Sequence, residues 1–275
     1  MKIGNVFENI APDLDFECYF CVTGKGDENS SRVPCLTSRE VSNANSVTHF
    51  NEMKKIALIV AGGRGLRMGA ELPKQFIALA GKPVLMWTIE CFTKFDPEVE
   101  LVLVLPADQF EVWEQLCSDH NFNLPVHLVE GGDTRFQSVK NGLESINGEG
   151  IVFIHDGVRP LVSKATLENC FNSAVEHGNA LPVFSVVESL RKVITSGSQH
   201  VDRSEFRLVQ TPQTFVVSGI QKAYQQPESD FFTDDASVYE AAGNTICLVN
   251  GNQENIKITT PVDLKIAEMF LKTGC

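Results

Sequence analysis

From Lys54 onwards, short apolar runs alternate along the chain with longer stretches in which apolar residues recur every three or four positions. The short runs are typical of strands buried on both faces, and the longer stretches are typical of amphipathic helices. The predicted strands are Ile56–Val60, Leu101–Leu105, Val126–Val129, Ile151–His155, Leu181–Val187 and Thr245–Val249. The predicted helices are Val84–Phe95, Gln109–Asp119, Arg135–Ile146, Lys164–His177, Val217–Gln225, Asp234–Ala242 and Pro261–Lys272, the last with Thr260 as its N-cap. This order predicts an α/β fold with a mostly parallel, doubly wound (Rossmann-like) sheet.

The first 52 residues differ from this pattern. They are rich in Asn, Ser, Asp and Glu and show no sustained hydrophobic period. We therefore expect residues 1–52 to be a poorly ordered N-terminal extension and residues 53–275 to form the functional domain. The alternative is a genuine accessory segment.

A second departure lies between Val186 and Gln210. Two arms of alternating apolar residues flank the sequence S-G-S-Q, which predicts a β-hairpin. Because a two-stranded ribbon alone is only marginally stable in water, we expect it to pack on another surface. That surface is either a second subunit or the hairpin's own domain.

Composition narrows the classes of partner. The chain has 275 residues, a formal net charge of −12 and a hydrophobic content of 43%. An acidic protein has no overall attraction for nucleic acid or anionic membranes, so neither is expected as a partner. No run approaches the roughly 18 apolar residues of a membrane span, and the first residues lack the pattern of a signal peptide. We expect a cytoplasmic protein.

Candidate chemistry follows the predicted strands, where ligands bind in parallel sheets. After the first strand comes A-G-G-R-G-L-R-M and then P-K-Q, a glycine turn with Arg67 and Lys74 beside it, which is neither a Walker loop nor a dinucleotide fingerprint. Gly131 and Gly132 precede Asp133 and Ser138, in a segment that is typical either of a ligand loop or of a plain turn and helix cap.

The later segments add further polar groups. Asp156 in H-D-G-V-R-P ends a strand, where a carboxylate meets a metal or a ribose, or forms a simple ion pair with Arg159. Lys257 in E-N-I-K-I-T is predicted to point inward from an apolar strand, where a phosphate partner is plausible.

Together with V-D-R and Q-T-P-Q, these motifs resemble the 2-C-methyl-D-erythritol 4-phosphate cytidylyltransferases of the non-mevalonate isoprenoid pathway. They stand in the order and spacing of that family, and the resemblance covers the chain from about Lys54 to Leu271. It implies transfer of CMP from CTP to methylerythritol phosphate, with release of pyrophosphate and with Mg²⁺ as cofactor. It also implies that the predicted hairpin clasps a second subunit in a homodimer.

The resemblance assigns roles to particular residues. Catalytic roles fall to Arg67, Lys74 and Lys257; CTP binding to Ala61, Gly62, Gly63, Gly65, Gly132, Asp133, Ser138 and Asp156; and acceptor binding to Arg159, Ser189, Arg203 and Thr211. Asp156 is also the candidate metal ligand. Because the nucleophile is a phosphate that is largely dianionic at pH 7, no strong general base is required.

Two departures from the family pattern leave alternatives open. Gly157 and Val158 replace two alanines that are usual in the family, and Ser189 replaces a threonine. The related ribitol 5-phosphate cytidylyltransferases often carry a valine at the position of Val158, so ribitol phosphate is the alternative acceptor. A CTP-binding module without catalysis is the non-enzyme alternative; it would bind CTP without turning over either acceptor.

Overall fold

The computed structural model describes residues 53–62 and 72–273. The strands are β1 (Lys55–Val60), β2 (Ala78–Leu79), β3 (Lys82–Pro83), β4 (Glu100–Leu105), β5 (Val126–Glu130), β6 (Ile151–Asp156), β7 (Asn179–Ser185), β8 (Arg191–Ile194), β9 (Gly197–His200), β10 (Arg207–Val209), β11 (Gln213–Val216) and β12 (Leu248–Asn250). The helices are α1 (Val84–Phe95), α2 (Phe110–Asp119), α3 (Arg135–Glu144), α4 (Lys164–His177), α5 (Val217–Ala223), α6 (Asp235–Ala241) and α7 (Pro261–Thr273). None of these helices is both long and apolar enough to cross a bilayer. The expectation for residues 1–52 lies outside the described part of the chain.

One mixed sheet organises the molecule. Its strand order is β10-β7-β11-β6-β1-β4-β5, with β12 pairing parallel to β7. β1 pairs in parallel with both β4 and β6, and β4 pairs in parallel with β5. β11 runs antiparallel to β6 and β7, and β10 runs antiparallel to β7. The predicted α/β class with a mostly parallel sheet is confirmed.

The central strands are buried on both faces, which explains their continuous apolar runs. Ala57 and Ile59 of β1 pack on one side of the sheet, in a cluster with residues of α1 and α4. Ile56 and Leu58 pack on the other side, with residues of α3, α5 and α6. Because successive side chains of a strand point to opposite faces, every residue of β1 between its ends needs to be apolar.

All seven predicted helices are present, and α1 and α4 have the predicted bounds. The predicted cap of α7 is also confirmed, since the Thr260 hydroxyl accepts a hydrogen bond from the Asp263 main-chain N–H at 3.3 Å. Asp263 reciprocates, accepting from the Thr260 N–H at 2.7 Å. The helix therefore begins with a reciprocal pair of hydrogen bonds between Thr260 and Asp263.

The predicted hairpin forms, but its turn lies earlier than expected. β8 and β9 pair so that Ile194 faces Gly197, which leaves Thr195 and Ser196 as a two-residue turn instead of S-G-S-Q. Gly197 has a φ of +138°, a conformation that side chains rarely adopt, and this fixes the glycine just after the turn. The returning segment does not stay in the ribbon, because β10 leaves it to join the edge of the main sheet at β7.

Candidate active site

A cavity opens where β1, β5 and β6 end. It is lined by Val60, Ala61, Gly62, Lys74, Gln75, Gly132, Asp133, Thr134, Arg135, Ser138, Asp156, Val158 and Lys257. The loops that follow three parallel strands meet at this edge of the sheet, as expected for a doubly wound fold, and Lys74 and Lys257 join them from segments outside those strands. Residues predicted from four separated motifs therefore lie in one site.

Lys74 stands on a short 3₁₀ turn, Lys74–Phe76, that is anchored to the end of β1. The buried Gln75 amide makes this anchor by donating to the Ala61 carbonyl at 2.8 Å and to Gln109 Oε1 at 2.7 Å. The anchor holds Lys74 beside the first glycine of the loop. The remaining predicted loop residues, Gly63, Gly65 and Arg67, lie outside the described residues.

The second wall is the loop between β5 and α3. A side chain at Gly132 would lie 2.1 Å from Gln137 Cγ, so only glycine fits there. The buried Ser138 hydroxyl accepts from the Gly132 N–H at 3.1 Å and directs its proton to main-chain carbonyls, Thr134 O at 2.8 Å being the nearer. The Ser138 hydroxyl thus holds the main chain of the glycine loop in its conformation.

Asp156, at the end of β6, is the electrostatic centre of the site. Its Oδ2 accepts from Arg159 Nε at 3.0 Å and pairs with Lys257 Nζ at 3.1 Å. Burial alone would raise the pKa of Asp156, but Lys257, Arg159 and Arg135 together hold it well below the usual range. The carboxylate is therefore charged at neutral pH.

The predicted setting of Lys257 is wrong in one respect. Residues 254–259 form no strand; the segment crosses the sheet end with the Ile258 N–H bonded to the Val158 carbonyl at 2.9 Å. The Lys257 side chain is 41% exposed and reaches Asp156 from the open side. An apolar alternation at Ile256 and Ile258 suggested a strand, but both residues pack against α7 and its neighbours instead of pairing in the sheet.

Arg135 is a cavity residue to which the sequence analysis gave no role. It forms a two-pronged ion pair with Asp235, with distances of 2.8 Å and 2.6 Å, and the Tyr224 hydroxyl donates to the same carboxylate at 2.7 Å. Asp235 is fully buried. Arg135 lies between the candidate residues Asp133 and Ser138, but Asp235 is 100 residues away, and no local pattern joins the two.

The four residues predicted to bind the acceptor divide into two groups, and none of the four is among the residues that line the cavity. Arg159 and Thr211 lie beside Asp156: the Asp156 main-chain N–H donates to the Thr211 hydroxyl at 3.1 Å, and Arg159 Nη1 donates to the Asn255 carbonyl at 2.9 Å. Ser189 and Arg203 are exposed and do not line the cavity. Both belong to the segment around the β8–β9 ribbon, where Arg203 Nη1 donates to the Val187 carbonyl.

The side chains of the site can be compared with the ligands that the expected Mg²⁺ requires. No group of three or more His, Cys, Asp or Glu side chains that could hold an ion occurs in residues 53–62 and 72–273. Asp156 Oδ2 is already paired with two cations, which leaves Oδ1 as its available oxygen. Magnesium usually takes one or two carboxylates and fills the rest of its shell with phosphate oxygens and water. The residues thus fit an ion that arrives with a triphosphate, and they do not form a complete cage.

Comparison with known proteins shows which family has this sequence and fold. Residues 55–273 match the family model described as 2-C-methyl-D-erythritol 4-phosphate cytidylyltransferase. The chain belongs to this family.

Individual relatives agree with that assignment. The cytidylyltransferase of this name from Bacteroides fragilis is 53% identical over 219 residues, which cover 80% of this chain and all of the relative. A solved structure of the Thermus thermophilus enzyme is 30% identical with a TM-score of 0.63, covering 80% of this chain and all of that one. The Anaerococcus prevotii 4-diphosphocytidyl-2C-methyl-D-erythritol synthase structure has a TM-score of 0.70, covering 82% and 99% of the two chains, and at 24% identity supports the fold.

Proposed function

We propose that this cytidylyltransferase transfers CMP from CTP to 2-C-methyl-D-erythritol 4-phosphate, giving 4-diphosphocytidyl-2-C-methyl-D-erythritol and pyrophosphate for isoprenoid precursor synthesis. The observation that carries the proposal is the cavity at the strand ends, in which glycine-rich main chain and the cations Lys74 and Lys257 line the same space. Glycine loops accommodate a nucleotide closely, and the cations suit its phosphates.

The chemistry asks mainly for positioning and charge neutralisation. An acceptor phosphate oxygen attacks the α-phosphorus of CTP, the bond to the β-phosphate oxygen breaks, and pyrophosphate leaves with the electron pair. Both reactants are anionic, so cations that hold them in line supply most of the acceleration. We assign triphosphate stabilisation to Lys74 and Arg67, and alignment of the attacking phosphate to Lys257 and Arg159.

The cytidine subsite is proposed at Ala61, Gly62, Gly132, Asp133 and Ser138, with Gly63 and Gly65 completing the loop. Ser138 acts there by holding the Gly132 main chain in place. Magnesium, when bound with CTP, would neutralise triphosphate charge, and Asp156 Oδ1 is the protein oxygen that would hold it. Asp156 itself keeps Arg159 and Lys257 next to one another.

The experiment that tests the reaction is CTP-dependent release of pyrophosphate, measured separately with methylerythritol phosphate and with ribitol 5-phosphate. We expect turnover with the first substrate only. A preference for ribitol 5-phosphate would identify the alternative acceptor, and CTP binding without turnover of either would support the non-enzyme alternative.

We further propose that the enzyme is a homodimer joined through the β8–β9 ribbon. Every residue of β8, β9 and β10 is exposed in the single chain. The exposed apolar side chains of this region are Val187, Val193, Ile194, Phe206, Leu208 and Val209, with Val193 84% exposed. Apolar groups gathered in this way are typical of a subunit interface. Ser189 and Arg203 lie in the same exposed segment around the β8–β9 ribbon, and we propose that they reach the acceptor in the neighbouring subunit's site.

Mixing two inactive proteins tests this arrangement. Arg203→Ala and Lys74→Ala dimers are combined under conditions of subunit exchange. If Arg203 acts across the interface, each mixed dimer contains one site with both residues intact, and activity partly returns. Demonstrated exchange without recovery would place Arg203 in its own chain's site or outside the mechanism.

The predicted domain boundary and location stay proposals of the same kind. The family match begins at Lys55, which supports a functional domain starting near Met53. A protein truncated to begin at Met53 should fold and keep full activity; aggregation or loss of most activity would make residues 1–52 part of the domain. A cytoplasmic location fits a reaction that consumes CTP, and fractionation of cells tests it.

A further inference from the structure

Arg135 has more hydrogen-bond donors than its ion pair uses. A guanidinium carries five N–H groups, and here one N–H of each terminal nitrogen donates to Asp235, at 2.8 Å and 2.6 Å. Three N–H groups remain, one on Nε and one on each terminal nitrogen. Within residues 53–62 and 72–273 none of the three has a hydrogen-bond partner. Arg135 can therefore donate to a ligand and keep its ion pair.

The ion pair fixes the plane in which these donors lie. The two terminal nitrogens bond to the two oxygens of one carboxylate, which is a two-point contact in a single plane. Asp235 is fully buried, and the Tyr224 hydroxyl donates to it at 2.7 Å, so the carboxylate is itself held in place. A pair at the outer end of the guanidinium leaves its side edge, where the Nε–H and a terminal N–H are parallel. This edge is a preorganised fork of two donors.

The location of Arg135 separates it from the cations assigned to phosphates. Its side chain is 34% exposed and lines the cavity together with Gly132, Asp133 and Ser138, which are proposed to bind cytidine. The cations proposed for the phosphates reach the cavity from other segments of the chain. The charge of Arg135 is also balanced by its buried partner. Arg135 thus brings directed N–H groups, with little unbalanced charge, to the nucleoside end of the cavity.

The base of CTP has the acceptors that such a fork requires. The hydrogen-bonding edge of cytosine carries an amino donor on C4, followed by two adjacent acceptors, N3 and the carbonyl O2. Two parallel N–H donors can pair with both acceptors, as arginine does with the neighbouring acceptors of guanine. Uracil has the same shape but carries hydrogen on N3, so one donor of the fork would face another donor. A site whose polar groups are left unpaired in this way rejects a substrate of nearly the same shape.

We propose that Arg135 is a specificity-determining residue, which selects cytosine over uracil by donating from its side edge to N3 and O2 of the base. Asp235 and Tyr224 are then positioning residues, because they act on the base only through Arg135. The inference rests on the proposed function for the identity of the nucleotide. Within that function, the glycine loop surrounds the base and Arg135 distinguishes its edge.

The first test compares CTP with UTP in Arg135→Lys. Lysine keeps the charge next to Asp235 but has no fork of parallel donors. We expect the ratio of kcat/KM for CTP to kcat/KM for UTP, measured with methylerythritol phosphate, to fall by about 10-fold or more, as for the loss of one two-point base contact. The two nucleotides have identical phosphates and riboses, so a phosphate contact or a purely structural role would lower both values together. An unchanged ratio would therefore overturn the proposal.

The second test measures binding of the nucleotide without an acceptor, by calorimetry in the presence of Mg²⁺. In the analogue 3-deaza-CTP a C–H group replaces N3, which removes one acceptor and leaves the phosphates unchanged. Wild-type protein should bind the analogue about 10-fold more weakly than CTP, whereas Arg135→Lys should bind the two within about twofold of each other. An equal loss in both proteins, or no loss in wild type, would contradict a hydrogen bond between Arg135 and N3.

A matched control and a second variant complete the design. Lys140→Gln changes a cation on the same helix that does not line the cavity, and it should leave the ratio and the effect of the analogue unchanged. If Arg135→Lys does not fold, Arg135→Met combined with Asp235→Asn removes the guanidinium and the buried charge together, and the same outcomes decide. A wild-type protein that binds CTP but turns over neither polyol phosphate would refute the proposed function, and the binding test would still decide the role of Arg135.

Discussion

Replacing Asp235 with asparagine removes the buried charge that holds Arg135 at the edge of the cavity. The substitution keeps the volume of the side chain but leaves a neutral group. One of its two polar atoms becomes an N–H donor facing a guanidinium or phenol donor. In the native protein the carboxylate accepts from both terminal nitrogens of Arg135 and from the Tyr224 hydroxyl, and it is fully buried.

The magnitude follows from this geometry. Removing one partner of a buried ion pair costs about 3–5 kcal/mol. The Arg135 side chain is 34% exposed, so water partly solvates the abandoned guanidinium and the lower end, about 3 kcal/mol, applies. For a domain of this size that corresponds to a fall in Tm of roughly 6–12 °C. Tyr224→Phe removes a single hydrogen bond to the same carboxylate and should cost about 1.5 kcal/mol.

Urea unfolding at 25 °C and thermal scans measure both changes. Asp230→Asn, which removes an exposed carboxylate from the loop before α6, is the control and should change stability by less than about 0.5 kcal/mol. Because Arg135 begins α3 next to the Gly132 loop, Asp235→Asn should also raise the KM for CTP. A Tm for Asp235→Asn within about 2 °C of wild type would refute the reasoning, since the pair would then contribute little beyond its desolvation cost.

Three further substitutions test the site. Lys74→Ala should lower kcat by about 100-fold, as expected for a charge that stabilises the transition state, and an unchanged kcat in the folded variant would overturn its assignment. Asp156→Asn should lower the free energy of unfolding most above about pH 4, the ordinary pKa of aspartate, because the lowered pKa of Asp156 stabilises the folded state there and this contribution is lost as the pH falls toward that lowered pKa. The difference in unfolding free energy between wild type and variant, measured in urea, should therefore be smaller at pH 3 than at pH 6. An equal difference at the two pH values would contradict the assignment. Gly157→Ala should destabilise by about 1–3 kcal/mol in thermal unfolding, because the new Cβ would lie 2.8 Å from Ala61 Cβ, and a neutral result would mean that the strand ends move apart freely.

The sequence predicted the parallel half of the fold well because its signals are local. α1 and α4 show a clear apolar period, and α4 also has Ser163 as its cap and Gly178 after its end, so their bounds were predicted to the residue. β11 was missed for the opposite reason. Its four residues, Q-T-F-V, have no distinctive pattern, and the strand exists because β6 and β7 leave a space between them that an antiparallel segment fills. Such a strand depends on tertiary pairing that no short window of sequence contains.

The site, too, has residues that the sequence could predict and contacts that it could not. Lys74, Gly132, Asp156 and Lys257 could be predicted because each follows a strand or stands in a motif, and the parallel sheet brings strand ends together. The Arg135–Asp235 pair and the hydrogen bond between His155 Nδ1 and the Thr211 hydroxyl join residues 100 and 56 positions apart. Their side chains meet only after β11 and α6 are in place, so residue type alone could not assign them partners.

The charges around Asp156 explain how an acidic chain could accommodate the two polyanionic substrates of the proposed reaction. The net charge of −12 describes the whole surface, but Arg159 and Lys257 converge on one carboxylate at 3.0 Å and 3.1 Å. Without Asp156 these two cations would repel each other and separate into water. With it they are held together, and the low pKa of the carboxylate keeps this arrangement intact throughout the neutral range. In the proposed reaction, a phosphate dianion would meet cations that are already in position, so little of its binding energy would be spent on assembling them.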